Sequence, residues 1–256
     1  MNYFDTHAHY NDKAFDGIRE EILGKCIREN IKYIVNVGAS IEESKECIEL
    51  SNKYDFIYSA IGIHPYNIKL EDPQKLYDIY NKYNNRKILA IGEIGLDYHI
   101  SKEDKKSQID SFIEQIEIAN TLKLPILVHT RDASLDTYNI LKNEKKAEYG
   151  TLLHCFNPTD DLLRLVLERE YTVAFGGNIT YKRANSFKDY LLKIPINQIV
   201  LETDCPYLAP IPVRGTINNS TNLKYICDKL AEYKELKSEY VAKITFENAM
   251  RFYKID

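Results

Sequence analysis

The sequence predicts an α/β fold: a single (β/α)8 TIM barrel over residues 1–256. Eight short apolar runs alternate with segments of helical periodicity, and about 250 residues is a typical length for such a barrel. Polar side chains with metal-binding chemistry end most of these runs. An open doubly wound sheet is the competing architecture, but it would gather such residues at one switch point. No linker rich in Pro, Gly or Ser divides the chain, so we expect one domain.

The apolar runs are nearly continuous, as expected for parallel strands that helices cover on both faces. The predicted strands are Tyr3–His9, Tyr33–Gly38, Ile57–His64, Ile88–Leu96, Pro125–His129, Gly150–Phe156, Tyr171–Gly176 and Ile199–Thr203. Apolar stripes at helical spacing lie between them, and their members are Ile18, Ile22, Leu23, Cys26 and Ile27, then Ile109, Phe112, Ile113, Ile116 and Ala119, then Leu223, Ile226, Cys227 and Leu230. A long loop over Cys205–Asn222 and a closing helix over Lys237–Tyr253 complete the predicted order.

Composition and charge exclude several classes of protein. The net charge of −4 gives no basic field to recruit long duplexes, although metals and a few arginines could still build a local phosphate site. The five cysteines form no Cys-x-x-Cys pair and the chain opens on a strand-like run, so we expect a reduced, cytoplasmic setting. The longest apolar runs have the length of a strand, so we expect no membrane span. Nothing indicates an obligate protein partner.

Side chains that can bind a metal or move a proton follow the apolar runs at their carboxyl ends. They are His7, His9, His64, Glu93, His129, His154 and Asp204. The carboxyl ends of barrel strands meet at one face, where active sites lie. His7 and His9 are spaced i, i+2, which places both imidazoles on one face of a strand. A hydrogen-bonded core histidine or a capping aspartate would explain any one of these residues, but together they predict a metal centre.

The carboxylates of Glu93 and Asp204 suit different tasks. Glu93 lies between Gly92 and Gly95, which would let backbone crowd closely around a bound group. Its two oxygens could bridge two cations, and a glutamate in an apolar run is expensive to bury unless it is paired or metal-bound. Asp204 could ligate a metal and also accept a proton from a metal-bound water.

The sequence resembles the TatD family of metal-dependent hydrolases, a branch of the amidohydrolase-like barrels. The resemblance runs from Phe4 to about Arg214 in the motifs DTHAHY, GIHP, GEIGLDY, PILVHTRDA, LLHCF, AFGGNIT and LETDCPYLAP. It implies a Mg-dependent deoxyribonuclease, largely 3′–5′ exonucleolytic, that acts on DNA ends or single-stranded DNA.

The resemblance also implies roles for individual residues. One metal would be held by His7, His9, Glu93 and Asp204, and the second by Glu93, His129 and His154. His64 would touch the substrate rather than a metal, and Arg131 and Arg214 are candidate substrate contacts. After its proline-rich loop the family usually reads close to RGKRNEP, where this chain has Arg214-Gly-Thr-Ile-Asn-Asn-Ser220. Fewer cations there would weaken phosphate neutralisation. We expect His99 near the rim.

The function expected from the residues and the resemblance is hydrolysis by water activated between two divalent ions, about 3.5–4 Å apart. Glu93 would bridge the ions and Asp204 would act as the base. Four histidines favour Zn, Mn, Fe or Ni by ligand softness, whereas the family is usually assayed with Mg. Other substrates remain open: an aminoacyl-tRNA ester, a lactone or a phosphotriester. A non-catalytic module with a structural metal is disfavoured because such sites are typically rich in Cys.

Overall fold

A computed structural model describes residues 1–83, 86–99, 104–144 and 147–255. The strands in this part of the chain form one eight-stranded sheet. They are β1 (Tyr3–Ala8), β2 (Ile31–Val37), β3 (Ile57–Ile61), β4 (Ile88–Asp97), β5 (Ile126–Arg131), β6 (Thr151–Leu153), β7 (Thr172–Phe175) and β8 (Ile199–Leu201). The α-helices are α1 (Arg19–Arg28), α2 (Ile41–Lys53), α3 (Gln74–Tyr83), α4 (Lys105–Leu122), α5 (Ser134–Asn139), α6 (Asp160–Arg169), α7 (Lys188–Lys193), α8 (Leu223–Lys234) and α9 (Ser238–Tyr253).

The strands follow one another around a nearly closed barrel in chain order, β1 to β8, and each neighbouring pair is parallel. Closure comes from the segment after β8. Its Cys205 bridges Ala8, and the backbone N–H of His9 donates to the Cys205 carbonyl at 2.8 Å. The predicted (β/α)8 barrel is confirmed.

The barrel interior is a layered apolar core. Alternate residues of each strand point inward, among them Val35, Ala60, Leu127 and Val200, and all are fully buried. Helix α9 contributes to the same cluster, and the Tyr253 hydroxyl donates to the Thr6 carbonyl at 3.0 Å. The closing helix was therefore predicted correctly. No helix among the described residues is long and apolar enough to cross a membrane.

Two details differ from the sequence expectations. Strands β1, β3, β6 and β8 end before His9, His64, His154 and Asp204, which lie in the connections that follow. Backbone hydrogen bonds still tie each of them to a neighbouring strand or to the residues just after one, for example from His154 N to the Val128 carbonyl at 3.0 Å. Ile27 was assigned to the inward stripe of α1, but it is 57% exposed because the helix turns Leu23 and Cys26 to the core instead.

Candidate metal centre

Glu93 lies at the centre of the barrel mouth. It is 5% exposed and sits on β4, where the pairing with β5 shifts register between Ile91 and Ile94. A shift of this kind re-aims a side chain. The two carboxylate oxygens of Glu93 face two different groups of donors, so the site has two halves.

The first half gathers residues from β1 and from the segment after β8. The Nε2 atoms of His7 and His9 lie 3.2 Å apart. His7 Nε2 is 3.5 Å from Glu93 Oε2, and His9 Nε2 is 3.3 Å from Asp204 Oδ1. The β1 ladder also shifts register between Asp5 and Ala8, the stretch that contains His7, and His9 directly follows the end of β1. Four donor groups therefore converge, and they are the four expected to hold one metal.

The second half gathers residues from β5 and from the connection after β6. His129 Nδ1 lies 2.7 Å and His154 Nε2 lies 2.8 Å from Glu93 Oε1. The two imidazole nitrogens are 3.4 Å apart. The inward alternation along β5 and β6 explains this placement, since Leu127 and Leu152 lie two residues earlier on the same faces.

Hydrogen bonds on the outer side of the imidazoles determine which nitrogen is free to bind a metal. His9 Nδ1 lies 2.8 Å from the Val37 carbonyl, which can only accept, so Nδ1 carries a proton and Nε2 is the nitrogen left to bind a metal. His129 Nε2 lies 2.9 Å from Asp97 Oδ2 and donates to it, so Nδ1 is free. Partners of this kind orient metal-binding histidines in proteins.

His64 accepts a hydrogen bond on its outer ring nitrogen, whereas His9 and His129 donate one. Its Nδ1 accepts from the backbone N–H of Tyr66 at 3.2 Å, so the proton sits on Nε2, which lies 3.7 Å from Glu93 Oε1. Burial lowers the pKa of His64 to about 3, although Glu93 opposes the shift, and the ring is neutral near pH 7. His64 is thus suited to donate a hydrogen bond into the centre.

Buried charge makes the centre a site for cations. Burial would raise the pKa of Glu93, but the charge of His154 and the hydrogen bonds of His129 and His154 outweigh burial and hold the pKa well below its ordinary value. Burial likewise opposes ionisation of Asp204, yet its hydrogen bond with His9 lowers its pKa. Two carboxylates are therefore ionised among imidazoles, and divalent cations would replace the protons that the imidazoles otherwise take up. The donor set fits metal ions.

The imidazoles respond to those carboxylates in different ways. Burial would lower the pKa of His9, but Asp204 and Glu93 raise it to about 9. Burial and the neighbouring His154 lower the pKa of His7, whose ring stacks on that of His154 with centroids 4.0 Å apart. In the described chain, three sets have donor atoms within 4.8 Å of one another, and the first two share His7: His7, His9 and Asp204; His7, His154 and Glu202; and His64, Glu93 and His129.

The predicted arginines lie farther out. Arg131 is the exposed last residue of β5, on the same strand face as His129 two residues earlier. Arg214 is exposed, and its guanidinium carbon lies 4.5 Å from the ring centroid of Tyr181. His99 is at the rim, as expected, where its Nδ1 lies 3.1 Å from Asp132 Oδ2.

Sequence reasoning missed two carboxylates that support the histidines. Asp97 is 1% exposed and contacts His129, and the fully buried Glu202 has its Oε1 3.5 Å from His154 Nδ1. Glu202 Oε1 also accepts from the backbone N–H of Cys155 at 2.6 Å. Both occur in motifs already noted, GEIGLD and LETD. The sequence did indicate a role for both residues, because a carboxylate within a buried apolar run needs a partner.

The glycines beside Glu93 were expected to admit a bound group. They instead allow neighbouring strands to approach. A Cβ on Gly92 would lie 2.5 Å from the Leu127 Cβ, and one on Gly95 would overlap the His129 carbonyl oxygen. Gly95 also has a φ of +137°, which other residues rarely adopt. These two positions hold β4 and β5 close enough for Glu93 and His129 to meet.

The barrel and the donor set at its mouth define the class of metal-dependent hydrolase barrels. The model of the family described as TatD related DNase matches residues 4–254, and the chain belongs to this family. An uncharacterised metal-dependent hydrolase of Bacillus subtilis, YabD, is 38% identical over 99% of both chains. Another from Escherichia coli, YcfH, is 31% identical over 100% of this chain and 97% of its own. The protein is a metal-dependent hydrolase.

Solved structures support the fold. The crystal structure of YjjV, a TatD homologue from Escherichia coli, covers 99% of this chain and 98% of its own, with a TM-score of 0.89 and 24% identity. A TatD family hydrolase from Entamoeba histolytica covers 99% of this chain and 98% of its own, with a TM-score of 0.86 and 21% identity. At these identities the likeness concerns the fold alone.

Proposed function

We propose that the chain hydrolyses phosphodiester bonds at the 3′ ends of single-stranded DNA, in the 3′–5′ direction, with two divalent metal ions. The proposal rests on the two carboxylate oxygens of Glu93, which face different groups of donors. Its Oε2 faces His7 and its Oε1 faces His129 and His154, so one carboxylate is shared between two groups of donors. Centres that share a bridging carboxylate in this way suit in-line displacement at phosphorus.

The residues that would hold the metals are His7, His9, Glu93 and Asp204 in one half and Glu93, His129 and His154 in the other. Divalent ions bound there would lower the pKa of water toward neutrality and polarise a phosphoryl oxygen. Mn, Zn, Fe or Ni suits the imidazoles, and Mg suits the carboxylates.

The chain's own groups account for the proton and the charge. Asp204 is ionised near pH 7, so its carboxylate can accept the proton that the attacking water loses. His64 is neutral and carries its proton on Nε2, so it can donate a hydrogen bond to a non-bridging phosphoryl oxygen. Arg131, two residues beyond His129 on β5, is a candidate cation for a phosphate of the bound strand.

The test is a substrate panel assayed with added Mg or Mn. Single-stranded DNA with a free 3′ end is compared with internal duplex sites, a lactone, a phosphotriester and an aminoacyl ester. We expect the free 3′ end to be cleaved fastest and Asp204→Asn to abolish cleavage in a protein that still folds. Faster turnover of another ester, or near wild-type cleavage by Asp204→Asn, would contradict the proposal.

A further inference from the structure

Two exposed tyrosines stand beside the metal centre, each in contact with one of its histidines. Tyr66 is 60% exposed, and its ring lies 4.6 Å, centroid to centroid, from that of His64. Tyr207 is 54% exposed, and its ring lies 6.2 Å from that of His9 with the planes 62° apart. Large aromatic side chains left open to solvent beside a reaction centre are available to a ligand.

The tyrosines belong to opposite halves of the centre. His64, beside Tyr66, approaches Glu93 Oε1, whereas His9, beside Tyr207, approaches Glu93 Oε2. Hydrogen bonds hold the side chain of Tyr207 and the backbone of both tyrosines. The Tyr207 hydroxyl donates to Asp12 Oδ2 at 2.6 Å and its backbone N–H donates to the Asp204 carbonyl at 3.0 Å, while the Tyr66 backbone binds His64. A ring that is already held loses little freedom when a ligand stacks on it.

A cationic cavity adjoins Tyr207. Its volume is about 610 Å³, and Pro206 and Leu208, the two chain neighbours of Tyr207, are part of its wall. Lys182 and Arg214 line the same cavity, with Arg214 resting on the ring of Tyr181. Aromatic surfaces combined with nearby cations are how proteins bind single-stranded nucleic acid without reading its sequence.

We propose that Tyr66 and Tyr207 are stacking surfaces for the bases of a single-stranded nucleic acid end. The cavity of Lys182 and Arg214 takes the backbone phosphate of the adjoining nucleotide. This inference rests on the proposed function and names the feature of the substrate that the site recognises. Bases inside a duplex are already stacked on their neighbours, so only an unpaired or frayed end can offer a base face to these rings.

The experiment uses two single-stranded deoxyoligonucleotides that differ at the 3′ terminus. One carries 2-aminopurine, whose fluorescence falls on stacking, at its last two positions, and the other carries abasic residues at both. Binding is measured with added Mn in the Asp204→Asn background, and kcat/KM is measured with Asp204 intact. The variants are Tyr66→Ala, Tyr207→Ala and the two Phe substitutions. Tyr240→Ala is the matched control, because Tyr240 is 49% exposed at the start of α9.

We expect each Ala variant to weaken binding and kcat/KM by about 5- to 150-fold on the base-bearing probe and to change the abasic probe little. Tyr66→Phe should retain wild-type binding and quenching, Tyr207→Phe should retain most of both although it loses the hydroxyl bond to Asp12, and Tyr240→Ala should behave as wild type. Equal losses by an Ala variant on both probes, with or without loss of bound Mn, would overturn the proposal. An Ala variant that binds the base-bearing probe as well as its parent would also overturn it, as would a parent protein that does not bind the probe. Base-dependent binding without cleavage would refute the proposed hydrolysis and leave the stacking sites standing.

Discussion

The carboxylate of Asp97 is expected to control metal affinity through His129, although it faces away from the metal half-site. Asp97 Oδ2 lies 2.9 Å from His129 Nε2, and Asp97 Oδ1 accepts from the backbone N–H of His99 at 3.0 Å. In Asp97→Asn only one of these positions can be an oxygen. If the oxygen keeps the bond from His99, the amide NH2 faces His129 Nε2, moves the imidazole proton to Nδ1 and blocks the nitrogen that faces Glu93.

The expected magnitude follows from the burial of this pair. Loss of a carboxylate that orients a metal-binding histidine weakens metal affinity about 10- to 100-fold, or about 1.4–2.7 kcal/mol. Asp97 is 1% exposed, so salt will screen the interaction little and the loss should persist at high ionic strength. Isothermal titration of the metal-free protein with Mn measures the affinity of each half-site, and we expect the loss in the half that contains His129.

Asp132→Asn is the matched control, since Asp132 also pairs with a histidine. Its Oδ2 lies 3.1 Å from His99 Nδ1, but both side chains are more than half exposed and neither faces Glu93. We expect its Mn affinity to equal that of the wild type. Unchanged Mn affinity in a folded Asp97→Asn protein, or equal losses in the two variants, would refute the reasoning.

Three further predictions concern charge, titration and packing. Arg214→Ala should reduce the salt dependence of single-stranded DNA binding by about 0.7 in the log–log slope and leave Mn affinity unchanged. Burial raises the pKa of Asp5 from 3.8 to about 7 against hydrogen bonds from Ser220 and Thr203. The folded state therefore keeps a proton that the unfolded chain releases, so Asp5 makes the unfolding free energy fall by about 1.4 kcal/mol per pH unit between these values. Asp5→Asn should lack this contribution in urea unfolding of the metal-free protein. Gly95→Ala should lower the unfolding free energy by about 3 kcal/mol or more.

A different result would contradict each of the three predictions. An unchanged salt slope for Arg214→Ala would show that Arg214 does not contact a phosphate of the bound DNA. If wild type and Asp5→Asn lose stability in parallel from pH 5 to pH 7, Asp5 does not titrate there. Gly17→Ala controls for Gly95→Ala, because Gly17 has a φ of +78° with nothing within 4 Å of its Cβ position. Similar losses in both alanine variants would mean that backbone conformation, rather than the clash with His129, determines the effect.

The barrel could be predicted from the sequence because parallel strands covered on both faces appear as nearly continuous apolar runs. The eight apolar runs all became strands, and the long closing pattern became α9. The donors could be anticipated for the same reason. His7, His129 and Asp204 interrupt or end apolar runs, and the carboxyl ends of barrel strands meet at one face. Their convergence on Glu93 agrees with the sequence expectation, and their function as ligands stays a prediction.

Other features depend on contacts between segments distant in sequence. The register shifts that turn His7 and Glu93 inward arise from pairing with β2 and β5, which no single strand reveals. Asp97 stood in a motif already noted, but its partner is 32 residues away in His129. The positions of Tyr207 and Arg214 follow from a loop that Asn218 holds through hydrogen bonds to the Thr203 and Tyr207 carbonyls, at 2.9 and 2.7 Å. Loop composition alone does not predict such bonds.

We propose that Glu93 joins two metal half-sites at the barrel mouth. Anomalous diffraction from crystals of the Mn-loaded protein, recorded on both sides of the Mn absorption edge, locates the ions relative to its carboxylate. We predict two peaks, one beside His7, His9 and Asp204 and the other beside His129 and His154, with an oxygen of Glu93 next to each. A single peak, or peaks away from Glu93, would contradict it.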